Sequence, residues 1–118
     1  MNLKIVTTRG DIVFDQIDSY LKDAGIVCSE FSGNDVTNIF QDPLTQIVLL
    51  DMTGPIARPS FVKEIIDQSK DGRLVGVVGL ISKRDIGNVD YQLGLDDFVL
   101  SPLDYDELVT RLNMLSHK

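Results

Sequence analysis

The sequence predicts a single α/β domain built on an open, doubly wound sheet of five parallel strands with helices on both faces. Three observations carry that prediction. Segments with strand and helix patterns alternate strictly along the chain, which is the signature of a parallel sheet with right-handed crossovers. The run Ile47-Val48-Leu49-Leu50 is continuously apolar, as a strand covered by helices on both faces should be. The length of 118 residues matches one compact domain and leaves enough chain to bury a core.

The elements follow in order. Leu3 to Thr8 is a short apolar strand that runs into Thr7-Thr8-Arg9-Gly10, and Val13, Ile17, Leu21 and Ala24 then recur at helical spacing up to Gly25. Asp11 stands where a helix cap is wanted. Ile26 to Phe31 reads as the second strand. Asn34 or Asp35 then caps a short helix carrying Val36, Ile39 and Phe40 before Pro43. Thr45 to Asp51 is the third strand. Past Gly54-Pro55, Ser60 caps a helix that turns Phe61, Val62, Ile65 and Ile66 inward and closes at Asp71-Gly72.

Leu74 to Ile81 forms the fourth strand. A weaker helix broken by Gly87 spans Lys83 to Leu93 and stops at Gly94, and Asp97 to Leu100 is a short fifth strand. Asp104-Tyr105-Asp106-Glu107 resembles a capping box and opens a last helix with Leu108, Leu112 and Leu115 on one face.

Composition narrows the function. Hydrophobic residues make up 43% and charged residues 25% of the chain, the balance of a globular domain. No run reaches the roughly 18 apolar residues of a membrane span, and Met1-Asn2-Leu3-Lys4 does not open a signal peptide, so the expected location is cytoplasmic. A net charge of -7 without a basic stripe argues against nucleic-acid binding by this domain. The single cysteine, Cys28, lies in an apolar run and reads as a small buried hydrophobe. His117 is the lone histidine and has no partner for a metal cluster or catalytic pair.

In such a sheet the functional crevice lies at the carboxyl ends of the strands. Thr7, Thr8, Asp51, Gly79 to Ser82 and Ser101 fall there. Two stretches among these residues resemble the response-regulator receiver family, and the resemblance covers the whole chain. Ile47 to Pro55 looks like that family's strand ending in the phospho-acceptor aspartate, here Asp51. Gly94-Leu95-Asp96-Asp97-Phe98-Val99-Leu100-Ser101-Pro102-Leu103 looks like its Gly-Ala-Asp-Asp-Tyr-x-x-Lys-Pro-Phe segment. With Glu107-Leu108 and Arg111 following, the likeness is to the OmpR/PhoB type, whose receivers control winged-helix DNA-binding domains. It implies a CheY-like, flavodoxin-like strand order of 2-1-3-4-5.

The resemblance also shows departures. Phosphorylating an aspartate requires a divalent cation held by carboxylates. The family's acid pair falls on Thr7 and Thr8, whose neutral hydroxyls do not supply that charge. The phosphate-anchoring lysine falls on Ser101, and the reporter hydroxyl falls on Gly79, with Ser82 available only if the strand register slips. Arg9 is placed to give Asp51 a permanent charge-assisted hydrogen bond, and the threonine hydroxyls to fix the loop. The implied pocket is therefore Thr7, Thr8, Arg9, Gly79 and Ser101 around an unused Asp51, without a metal. Phe98 matches the family's aromatic switch position and, without a reporter, reads as a packed ring.

The resemblance to the OmpR/PhoB type also implies that Asp96, Asp97 and Arg111 lie on a symmetric dimer face made by the fourth helix, fifth strand and fifth helix, with Asp97 and Arg111 as the intersubunit pair. The plain alternative is an Arg111-Glu107 pair on one helix, worth about 0.2 to 0.5 kcal/mol. The expected function is that of an atypical receiver, similar to orphan regulators of the GlnR type. It would dimerise without phosphorylation, have no enzymatic activity, and position a partner or a winged-helix domain lying beyond residue 118. Two alternatives stand beside it. One is a working receiver that uses Asp51 and Mg2+; the other is a flavodoxin-like domain whose Thr7-Thr8-Arg9-Gly10 loop cradles a cofactor phosphate.

Overall fold

In the computed structural model, which describes residues 1–31, 36–55, 58–71 and 75–117, every predicted strand forms. They are β1 (Asn2–Val6), β2 (Val27–Phe31), β3 (Ile47–Asp51), β4 (Gly76–Ser82) and β5 (Asp97–Ser101). All pairings are parallel, and the order across the sheet is β2-β1-β3-β4-β5. The predicted fold class and strand order are therefore correct.

Three α-helices are present among the described residues: α1 (Phe14–Asp23), α2 (Pro59–Ser69) and α3 (Tyr105–Ser116). The two other predicted helices are tighter. Val36–Phe40 is a 3-10 segment, and the span expected as one helix from Lys83 to Leu93 is divided into 3-10 turns at Lys83–Asn88 and Tyr91–Leu93. Gly87 and the extended backbone at Val89 explain the break, because neither supports a continuing α-helical ladder. Gly94 ends the second turn at φ 98°, a conformation that glycine adopts without steric penalty.

Helix starts expose the limits of local reading. Asp104 caps α3, accepting from the amides of Asp106 and Glu107. Ser60 does not cap α2, since the chain enters the helix one residue earlier, with Arg58 at the cap and Pro59 preset at the first helical position. Asp11 does not cap α1 either; Val13 occupies that position without a side-chain bond. The predicted caps Asn34 and Asp35, the strand start at Leu74 and the stop at Gly72 lie outside the described residues.

Alternation along each strand divides the apolar residues between two cores. Ile5, Ile17, Leu21, Leu49, Leu80, Val99, Leu108 and Leu112 meet under α1 and α3. Val6, Val48, Leu50, Val62, Ile65 and Val77 meet under α2 on the other face. Each such fully buried aliphatic side chain contributes about 1.5 to 3 kcal/mol. All five residues of β3 are buried, including Asp51 at its carboxyl end. No helix among the described residues is long and apolar enough to cross a membrane.

Candidate functional site

Strand parity decides which side chains share a face. Asp51 pairs with Leu80 in register, and Leu80 pairs with Val99. Two residues further on, Ser82 pairs with Ser101, so both point the way Leu80 and Asp51 do. Gly79 is one residue out of phase. A Cβ built there would meet Met52 Sδ at 2.7 Å and Leu95 Cδ1 at 3.1 Å, within the opposite core. Gly79 is therefore not part of the pocket. Ser82 ends β4 two residues beyond Leu80, on the same face as Asp51 in the observed register.

Asp51 is wholly buried. Its Oδ2 accepts the Ile12 amide at 3.2 Å, and its Oδ1 accepts both the Thr53 amide at 2.9 Å and the Thr53 hydroxyl. The Thr53 hydroxyl oxygen in turn accepts the Asp11 amide at 2.6 Å. A Cβ on Gly10 would stand 2.2 Å from Thr53 Oγ1 and 2.6 Å from Asp51 Oδ1, so the backbone of the first loop lies directly on the carboxylate. A Cβ on Gly54 would stand 2.1 Å from the Thr8 carbonyl oxygen, which brings the loops after β1 and β3 into the same contact. Backbone approaches this close require glycine at both positions.

The remaining predicted pocket residues are spread around this core. Thr8 is buried and its hydroxyl donates to the Asp51 carbonyl oxygen at 2.7 Å, so it fixes the backbone of Asp51 and leaves the carboxylate to other donors. Thr7 turns toward β2, where its hydroxyl reaches Glu30 Oε2 at 3.5 Å. Arg9 is exposed at φ 60° and makes no bond to Asp51, so the expected charge-assisted contact is replaced by backbone amides and Thr53. Ser101 does reach the site, and its hydroxyl donates to Asp11 Oδ2.

Asp11 and Thr53 were the residues whose roles sequence reading missed. Asp11 contributes both its amide and its carboxylate to contacts 42 and 90 residues away, and the local cap motif suggested neither.

These donors do not fit a magnesium ion. Mg2+ requires hard anionic oxygens, whereas both Asp51 oxygens already accept protein hydrogens and the Thr7 and Thr8 hydroxyls are turned to other partners. Among the described residues no group of three or more His, Cys, Asp or Glu side chains could hold a metal. The Thr7 to Gly10 loop does not form a phosphate cradle over α1 either, since it packs on Thr53 and Gly54 and the helix opens only at Phe14.

Beside the sealed carboxylate lies a cavity of about 720 Å³ between the start of α1 and the ends of β4 and β5. Asp11, Gln16, Thr53, Ser82, Lys83, Arg84 and Ser101 supply its polar lining, while Ile12, Leu80, Leu103 and Tyr105 are among its apolar walls.

No protein-family model and no curated protein sequence matches the chain. Solved structures do. The receiver domain of the TMAO respiratory system response regulator TorR superposes with a TM-score of 0.77 at 22% identity, covering 98% of this chain and 96% of that one. A two-component response regulator from Clostridium difficile gives 0.77 at 15% identity, with coverage of 100% and 97%. Full-length FixJ from B. japonicum gives 0.76 at 14% identity, covering 97% of this chain and 56% of that one. The chain has the response-regulator receiver fold.

Within this receiver fold the predicted dimer residues are engaged internally. Arg111 Nη1 lies 3.1 Å from Asp97 Oδ1 while its Nε donates to Glu107 at 3.0 Å. The pair expected between subunits and the pair expected along one helix therefore coexist in a single chain. Both partners raise the Arg111 pKa, Glu107 most, with burial opposing. Asp96 Oδ2 bonds Lys70 at 2.8 Å and the Val77 amide at 2.7 Å. Phe98 is half-buried and lines a groove with Ile86, Val89 and Leu95, so it is not a fully packed core ring. Cys28 is also only half-buried, and the desolvation it experiences, aided by Asp18, pushes its thiol up to about 11. His117 is exposed, as its place near the terminus suggested.

Proposed function

We propose that this chain is an atypical response-regulator receiver domain that transmits signals without phosphorylation of Asp51 and without metal or enzymatic chemistry. One observation carries the reading: the Asp51 carboxylate is fully buried, accepts hydrogen bonds from Ile12 and Thr53, and is covered by the backbone of Gly10. A phospho-acceptor must be reached by a phosphoryl donor and a cation together. Here approach requires the first loop to lift and three protein hydrogen bonds to break.

In this reading the domain is a constitutive homodimerisation module of the OmpR/PhoB type, acting in the cytoplasm and positioning a winged-helix effector for transcription regulation. The face comprising the Lys83–Asn88 segment, β5 and α3 supports the dimer through exposed Ile86 and through Met114, which lies one helical turn from Arg111. Apolar contacts hold that dimer, because the Asp97 and Arg111 charges are already paired within the chain. Intact-mass spectrometry after incubation with acetyl phosphate and magnesium is the direct test. No added phosphoryl group is expected. One phosphoryl group, absent in Asp51→Asn, would instead establish a working phosphotransfer receiver.

A further inference from the structure

We propose that the cavity beside Asp51 is a binding site for a small organic anion, a carboxylate or phosphate carried on an apolar body, and that Lys83 and Arg84 hold its charge. This goes beyond the receiver reading and does not depend on it.

The location is the first argument. Ligands of open parallel sheets bind at the carboxyl ends of the strands, and Ser82 and Ser101 are the paired terminal residues of β4 and β5 at this cavity. The volume of about 720 Å³ lies inside the usual range for small-molecule sites.

The lining gives the chemistry. Ile12, Leu80, Leu103 and Tyr105 form apolar walls suited to a carbon skeleton or ring. Thr53, Ser82 and Ser101 set hydroxyls beside them. Two adjacent cations then stand at the edge in a chain of net charge -7. Among the described residues Lys83 has no hydrogen-bond or ion-pair partner and Arg84 has only its neighbour Asp85 at 3.9 Å, with the Arg84 side chain 86% exposed. Their charge is free to be used.

Negative charge is correspondingly withdrawn. Asp51 does not line the cavity, being wholly buried and bonded to Ile12 and Thr53. Asp11 is the one carboxylate of the lining, and its Oδ2 accepts the Ser101 hydroxyl. The lining carries one negative and two positive groups, so an anion entering with its apolar part against Leu80 and Leu103 meets a net attraction.

The test is a titration of the 15N-labelled chain with three probes: indole-3-acetate, phenyl phosphate and the neutral indole-3-ethanol. Saturable shifts of the Ser82, Ser101 and Leu103 amides at or below about 1 mM are expected with at least one anion. The probe that binds assigns the head group. The neutral probe should bind about tenfold more weakly or not at all, and Lys83→Gln/Arg84→Gln should weaken anion binding about tenfold. Both positions are exposed, so the variant's spectrum should otherwise match the parent's. The proposal is overturned if neither anion shifts these amides, if the neutral probe binds equally well, or if the double variant binds unchanged.

Discussion

Gly10 lies so close over Asp51 that a single methyl group on its Cα would stand 2.6 Å from the carboxylate oxygen Oδ1. The contact joins the loop after β1 to the end of β3 and makes the aspartate an anchor for that loop. The Ile12 amide at 3.2 Å and the Asp11 amide bonded to Thr53 at 2.6 Å extend the same attachment toward α1.

Gly10→Ala should destabilise the domain by about 1 to 3 kcal/mol, the usual cost of overpacking. The added carbon would collide with Gly54 N at 2.5 Å as well as with Thr53 and Asp51, and backbone cannot give way as a flexible side chain can. Urea denaturation of the two proteins measures the difference; unchanged midpoints would show that the loop does not rest on Asp51.

Asp51→Ala should cost about 1 to 3 kcal/mol, because the Ile12 and Thr53 donors would lose their buried acceptor. Asp51→Asn keeps one carbonyl oxygen as acceptor and should lose less. Thermal unfolding of both variants, with the alanine protein the less stable, is the expected ranking. The reverse order would contradict a structural role for the carboxylate.

Removing Asp97 and Arg111 singly and together should give a coupling energy of at most about 1 kcal/mol, reduced further by salt. Their side chains are 29% and 38% exposed, and Arg111 retains Glu107 when Asp97 is lost. A denaturation cycle run at several protein concentrations reads it. A coupling that grows with concentration would place the pair between subunits.

Cys28 should react slowly with a thiol reagent at pH 8, since the pKa raised from 9.0 to about 11 leaves only about a thousandth of it as thiolate. The same shift has a definite sign for stability. Between those two values the unfolded thiol has released its proton while the folded one retains it, so stability falls as pH rises across that window. Cys28→Ser should lessen the decline in unfolding free energy between pH 9 and 11.

Much of the fold was legible because it is written locally. Apolar runs and period-3.6 patterns identify β1 to β5 and the three α-helices, and Asp104 caps α3 through neighbours two and three residues away. The 83–93 span was misread for a reason of the same kind. Its composition is weakly helical throughout, and only the broken backbone at Val89 separates two 3-10 turns from one helix.

The site was less legible because its contacts are long-range. The family resemblance put Gly79 at the pocket, whereas pairing with β3 and β5 turns Gly79 to the opposite face and sets Ser82 on the face of Asp51. Parity could have found this, since Asp51, Leu80 and Ser82 must share a face once one register is fixed. Arg9 was assigned to Asp51 because it stands in the first loop beside the strand ends, yet the Ile12 and Thr53 donors already fill the acceptor sites.

By itself, then, the sequence determined the alternation of strands and helices, the two-faced core and the presence of Asp51 at a strand end, consequences of hydrophobic pattern and connection rules, while the strand order was what the family resemblance implied. The tertiary structure alone decided that this carboxylate is sealed, that Asp11 serves Ser101 and Thr53 instead of a helix, and that Arg111 is held within its own chain. The physical reason is that hydrogen bonds of a few ångströms depend on where distant loops meet, and hydrophobic periodicity carries no information about that.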